Sequence, residues 1–111
     1  MTEEKRILTI HIGKTDIYEW TMGVGKNTLM PELLVGCEEL LYNGLDEVKC
    51  VRVEALIRKE TKAFDFSVKR ENITDTLDKI LEWALNEEEY EICERVKNLN
   101  EFIEKTNNYE F

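Results

Sequence analysis

The chain has 111 residues, 24 acidic and 15 basic, which gives a formal net charge of −9. Hydrophobic residues make up 42% of it, enough for one core, whereas two domains of half this length would each barely close a core. No run of about 18 apolar residues predicts a membrane span, and no signal peptide follows Met1. We therefore expect a cytoplasmic protein without membrane contact.

The first half of the chain alternates apolar and polar residues and then changes to a helical period. Residues 6–12 and 17–24 both show the period of two that predicts strands, and the short polar turn between them predicts a hairpin. A helix should follow from a cap at Asn27 or Thr28 to a stop at Asn43-Gly44. Gly36 lowers the stability of this helix, which indicates that the sheet approaches it closely.

The second half predicts two more strands and two more helices. The strands cover residues 48–57 and 64–68 around a polar loop at 58–62. One helix begins at Asn72 or Thr74, and the apolar stripe of the next runs from Tyr90 to Ile103. The order ββαββαα predicts an α+β fold, a largely antiparallel four-stranded sheet with its helices on one face. We expect residues 1–105 to form a single domain and residues 106–111 to be a frayed tail.

The apolar stripes also predict which residues form the core. They are Leu8, Ile10, Ile12, Trp20, Met22, Leu33, Cys37, Leu40, Leu41, Val51, Val53, Ile57, Phe64, Phe66, Val68, Leu77, Ile80, Leu81, Val96 and Ile103.

Catalytic and metal-binding patterns are absent from the sequence. His11 is the only histidine, and Cys37, Cys50 and Cys93 lack both the spacing of zinc ligands and that of a disulfide framework. Gly23-Val24-Gly25-Lys26 resembles a phosphate loop but departs from the Walker pattern, so a glycine-rich turn between a strand and a helix is the better interpretation. We expect no enzyme activity, no metal and no cofactor, and buried thiols at Cys37 and Cys93.

The charge is unevenly distributed along the chain. Residues 47–72 carry 7 basic and 5 acidic residues, whereas residues 73–111 carry 4 basic and 11 acidic ones. The acidic excess should repel nucleic acid and anionic membranes unless the middle segment presents a basic face.

Residues 77–99 resemble the UVR motif, a short helical hairpin of excision-repair nuclease subunits and of some protease adaptors. An apolar first helix, a polar turn, the pair Tyr90-Glu91, Cys93 two positions later and the pair Val96-Lys97 carry the resemblance. Asn98 and Cys93-Glu94 depart from the residues that the motif prefers. In that family the hairpin binds other proteins, so the resemblance implies a protein-interaction element.

Three functional hypotheses follow from these patterns. The one we favour is a small, acidic, non-catalytic interaction or regulatory protein that binds another protein, or a second copy of itself, through a sheet edge or the helical hairpin. The candidate binding residues on the hairpin are Glu87, Glu88, Glu89, Glu91 and Glu94. One alternative is an inhibitor in which these carboxylates, with Glu82, imitate the charge of a nucleic acid.

The other alternative is a nucleic-acid binder, which is disfavoured because the aromatic residues of the predicted fourth strand point toward the core. Its candidate residues are Arg52, Arg58, Lys59, Lys62, Lys69 and Arg70.

Overall fold

In the part of the chain that the structure describes, the architecture is α+β, with three strands and four helices. A computed structural model describes the backbone of residues 7–109 and the side chains of residues 7–106. The strands are β1 (Leu8–Gly13), β2 (Glu47–Ile57) and β3 (Glu60–Lys69), and the helices are α1 (Ile17–Met22), α2 (Lys26–Tyr42), α3 (Ile73–Asn86) and α4 (Tyr90–Tyr109). A 3₁₀ turn at Arg70–Asn72 leads into α3. None of the helices in this part of the chain is both long and apolar enough to cross a membrane.

The strands form one mixed sheet in the order β1-β2-β3. β2 and β3 are antiparallel, whereas β1 runs parallel to β2, with Leu8 opposite Val51 and Ile10 opposite Val53. Parallel neighbours need a long crossover connection, and residues 14–46 supply it with two helices. The predicted α+β class is confirmed, but the predicted four-stranded antiparallel sheet and the ββαββαα order are wrong.

The second predicted strand, residues 17–24, is instead the short helix α1 and the turn after it. Asp16 caps this helix, because its side chain accepts a hydrogen bond from the backbone N–H three residues later (3.1 Å). Ile17 and Trp20 pack against the core at helical spacing, while Met22, predicted as core, is 56% exposed. Six residues are too few to distinguish a period of two from a helical period when apolar and polar residues are mixed.

The β2–β3 connection is a two-residue turn, not the predicted five-residue loop. Arg58 and Lys59 form it with positive φ angles of 50° and 68°, and residues 60–62 belong to β3. Ile57, the last residue of β2 before this turn, is 40% exposed although it was predicted as core. Leu8, also predicted as core, is 43% exposed on the edge strand β1.

Helix α2 lies directly on the sheet. A Cβ atom at Gly36 would overlap Cys50 Sγ and would lie 3.2 Å from Val68 Cγ2. The close approach predicted from this glycine is therefore confirmed. The sheet face away from the helix carries polar residues such as Arg52 and Asp65, which form an ion pair there.

Helices α3 and α4 form an antiparallel pair that packs on α2. Most of the predicted core is buried or packed against the buried cluster, which also contains Leu29, Leu34 and Leu99. Helix α4 continues to Tyr109, past residue 106 where the sequence predicts a frayed tail to begin. Residues 110 and 111 of that tail, and the first position of the predicted strand at 6–12, lie outside the described residues.

Candidate functional site

The five predicted hairpin glutamates lie together at one end of the molecule, which we call the acidic end (Glu87, Glu88, Glu89, Glu91 and Glu94). The first three form the turn between α3 and α4, and the other two lie in the first turns of α4. Backbone N–H groups of the turn are hydrogen-bonded to the last carbonyls of α3, for example Glu89 N to Ala84 O at 2.8 Å. The backbone N–H groups of the turn are thus hydrogen-bonded, and all five side chains are exposed.

The sequence of the acidic end contains no basic residue. Residues 80–94 contain six glutamates and no lysine or arginine. The next cation, Arg95, donates two hydrogen bonds to Glu38 on α2, one of them from Nε to Oε2 at 3.1 Å, and this contact raises the pKa of Arg95. Within the part of the chain that the structure describes, the five glutamates form no ion pair. The negative charge is therefore available to a partner.

Two large apolar side chains are exposed beside these carboxylates. Leu85, at the end of α3, is 55% exposed, and Tyr90, at the start of α4, is 67% exposed. The sequence pattern assigned Tyr90 to the apolar stripe of the helix, so this exposure was missed. An aromatic and an aliphatic side chain surrounded by charges can supply the apolar centre of a protein interface.

A groove lies next to the acidic end, between α1, α2, β3 and α3. We call it the Trp83 groove: its volume is about 510 Å³ and its apolar lining includes Met22, Met30, Leu33, Phe66 and Trp83. An adjoining depression of about 410 Å³ shares Met22, Lys26, Trp83 and Glu87 with it.

A side-chain hydrogen bond holds the aromatic wall of this groove in place. The indole Nε1–H of Trp83 donates to Asn27 Oδ1 (3.1 Å), which ties the end of α3 to the start of α2. Asn27 or Thr28 was predicted as the cap of α2, but the helix begins at Lys26, after Gly25, without a side-chain cap. No pattern in the sequence indicated the groove, because it depends on a contact between residues 56 positions apart.

The glycine-rich segment before α2 connects two helices, not a strand and a helix as predicted. Gly25 N–H donates to Trp20 O (2.8 Å), and a Cβ atom at Gly25 would overlap the backbone oxygen and the ring of Trp20. The close packing of Trp20 explains this glycine without a phosphate ligand.

The six basic candidate residues are not brought together on one surface. Arg52 lies on the outer sheet face, where its Nε is 2.7 Å from Asp65 Oδ1, and this hydrogen bond lowers the pKa of Asp65 and raises that of Arg52. Lys62 is paired with Glu60 at 3.1 Å. The others are at opposite ends of the β2–β3 hairpin, with Arg58 and Lys59 at its tip and Lys69 and Arg70 at its base.

The residues with catalytic or ligand chemistry are scattered. His11 is exposed on β1, with its Nδ1 3.0 Å from Glu54 Oε2. Cys37 and Cys50 are buried and Cys93 is partly buried. Burial raises the pKa of the Cys37 thiol to about 12, and nearby Cys50 and Glu38 add to this shift. In the described residues, no three histidine, cysteine, aspartate or glutamate side chains form a possible metal site.

Comparisons with known proteins give no match from which a function could be inferred. No family model matches the chain, and neither the curated proteins nor the solved structures contain a significant match. The resemblance of residues 77–99 to the UVR hairpin stays a prediction.

Proposed function

We propose that this is a non-catalytic interaction protein that binds another protein through the acidic end. The observation that carries the proposal is the group of five exposed glutamates, with no ion pair in the described part of the chain, beside the exposed Leu85 and Tyr90. The carboxylates would attract a basic surface, and the two apolar side chains would be removed from water in the complex. The resemblance of this hairpin to a known interaction motif supports the same surface.

Affinity capture with three immobilised forms of the protein tests the proposal. The forms are the wild type, the double variant Glu88→Lys/Glu91→Lys, and the control Glu101→Lys/Glu104→Lys, whose exposed glutamates lie farther along α4. Both variants change the net charge equally, so non-specific binding to an acidic protein changes equally in both.

Mass spectrometry of the captured material should find a partner on the wild type and on the control, and little or none of it on the Glu88→Lys/Glu91→Lys form. A protein that all three forms retain to the same extent would place the binding site elsewhere. Release of the partner by added nucleic acid would identify a nucleic-acid-binding partner and favour the charge-mimicking inhibitor.

A further inference from the structure

The tip of the β2–β3 hairpin is positively charged, whereas the acidic end is negatively charged. Arg58 and Lys59 form its turn, and neither has an ion pair with any described residue. Leu56 and Ile57, just before the turn, are 37% and 40% exposed. The tip therefore presents two cations on an apolar base.

The Trp83 groove complements this tip. Its floor is apolar, and Glu82 and Glu87 line it together with Lys26 and Lys79, so the groove itself is balanced in charge. The excess of negative charge comes from the turn next to it, where glutamates continue without a cation until Arg95. A cationic tip with apolar flanks would thus meet both an apolar floor and an uncompensated negative rim.

Tip and groove lie at the same end of the molecule. Helix α2 runs antiparallel to β2, because residues 43–46 join its end to the start of β2 and Gly36 lies over Cys50, so the start of α2 lies toward the tip. The end of β1 confirms this direction, since Gly13 pairs with Ala55 near the tip and residues 14–16 lead directly to α1. One two-fold axis at this end can therefore bring each tip to the groove of the other copy.

We propose that the protein self-associates as a two-fold dimer in which the β2–β3 tip of each copy occupies the Trp83 groove of the other. The net charge of −9 does not prevent this, because charges farther apart than about 8 Å are largely screened at physiological ionic strength. The contacts between tip and groove then decide the association. This dimer does not require the binding of another protein by the acidic end, although Glu87 belongs to both surfaces.

Sedimentation velocity of the full chain from about 10 µM to about 1 mM, near physiological salt, tests the dimer. The wild type should shift from monomer toward dimer within this range. Arg58→Glu/Lys59→Glu should raise the dissociation constant at least about tenfold. The matched control is Lys97→Glu/Lys105→Glu, which reverses two exposed lysines of α4 and makes the same change in net charge. It should dimerise like the wild type, and circular dichroism checks that each variant is folded.

A second pair of reversals makes the test specific for this contact. Glu82→Lys/Glu87→Lys should weaken self-association as the tip reversal does, whereas an equimolar mixture of the two variants should form heterodimers. In such a heterodimer both contacts are again between opposite charges. A wild type that stays monomeric to about 1 mM, a tip variant that dimerises like the wild type, or a mixture that stays monomeric would each overturn the proposal. A monomeric wild type would favour a segment of another protein as the occupant of the groove.

Discussion

Replacing Gly36 with alanine tests the contact between α2 and the sheet. At an exposed position inside a helix this change stabilises a protein by up to about 1 kcal/mol, because glycine loses more backbone entropy. At this position the new Cβ atom would overlap the buried Cys50 Sγ and press on Val68 Cγ2 at 3.2 Å. Overpacking of this kind costs about 1–3 kcal/mol. We therefore expect Gly36→Ala to lower the free energy of unfolding by about 1–2 kcal/mol in urea titrations.

A double-mutant cycle shows whether the overlap with the Cys50 thiol causes this loss of stability. In a Cys50→Ala background the overlapping sulfur atom is absent. The new Cβ atom then requires only that Val68 Cγ2 move by a few tenths of an ångström. Gly36→Ala should then be neutral or stabilising by up to about 1 kcal/mol. If Gly36→Ala stabilises the wild type, or if the two substitutions are additive within about 0.5 kcal/mol, α2 does not approach the sheet as described.

Three further changes test other parts of the structure. Gly25→Ala should lower the free energy of unfolding by about 1–3 kcal/mol, since its Cβ atom would overlap Trp20, and an unchanged melting temperature would contradict that packing. The unfolded state should release the Cys37 proton near pH 9, whereas the folded state keeps it to about pH 12. Stability should therefore fall as the pH rises through this range, and Cys37→Ala should make the fall less steep; an equally steep fall would mean that the thiol is not buried. For the ion pair between Glu38 and Arg95, a double-mutant cycle with alanine should give a coupling energy of about 1 kcal/mol, and a value near zero would show that the pair does not join α2 to α4.

Long periodic segments were predictable from the sequence, whereas the short one was not. The stripes of α3 and α4 identify their buried faces, because each helix repeats its pattern over several turns. Helix α1 has six residues, and its alternation of Tyr18, Trp20 and Met22 imitates a strand. Asp16, followed by a helical contact pattern from Ile17 to Trp20, was the available signal for a capped helix.

The error at α1 determined the error in the sheet. If residues 17–24 formed a strand, they would pair with residues 6–12 as a hairpin, and no parallel crossover would be needed. With a helix there, β1 reaches β2 only through the long connection that makes them parallel. The tight turn at Arg58 and Lys59 also lacked a signal, since neither residue is a glycine or an asparagine, which usually adopt positive φ.

The acidic end was predictable because residues close together in the sequence form it, whereas the Trp83 groove was not. Three glutamates in a helical hairpin turn and two in the first turns of the next helix are close together in any geometry that the turn adopts. The groove needs α1, α2, β3 and α3 to meet, and its position depends on the hydrogen bond between Trp83 and Asn27.

The most direct test of the proposed function is the rate at which the captured partner associates with the protein. Stopped-flow or surface-based kinetics at low and at moderate salt would compare the wild type, Glu88→Lys/Glu91→Lys and the control Glu101→Lys/Glu104→Lys. We predict that the reversal at the acidic end slows association at low salt and makes the rate less dependent on salt, because complementary charges act mainly on encounter. The control should behave like the wild type. Equal association rates and equal salt dependence for all three forms would contradict the assignment of the acidic end as the binding site.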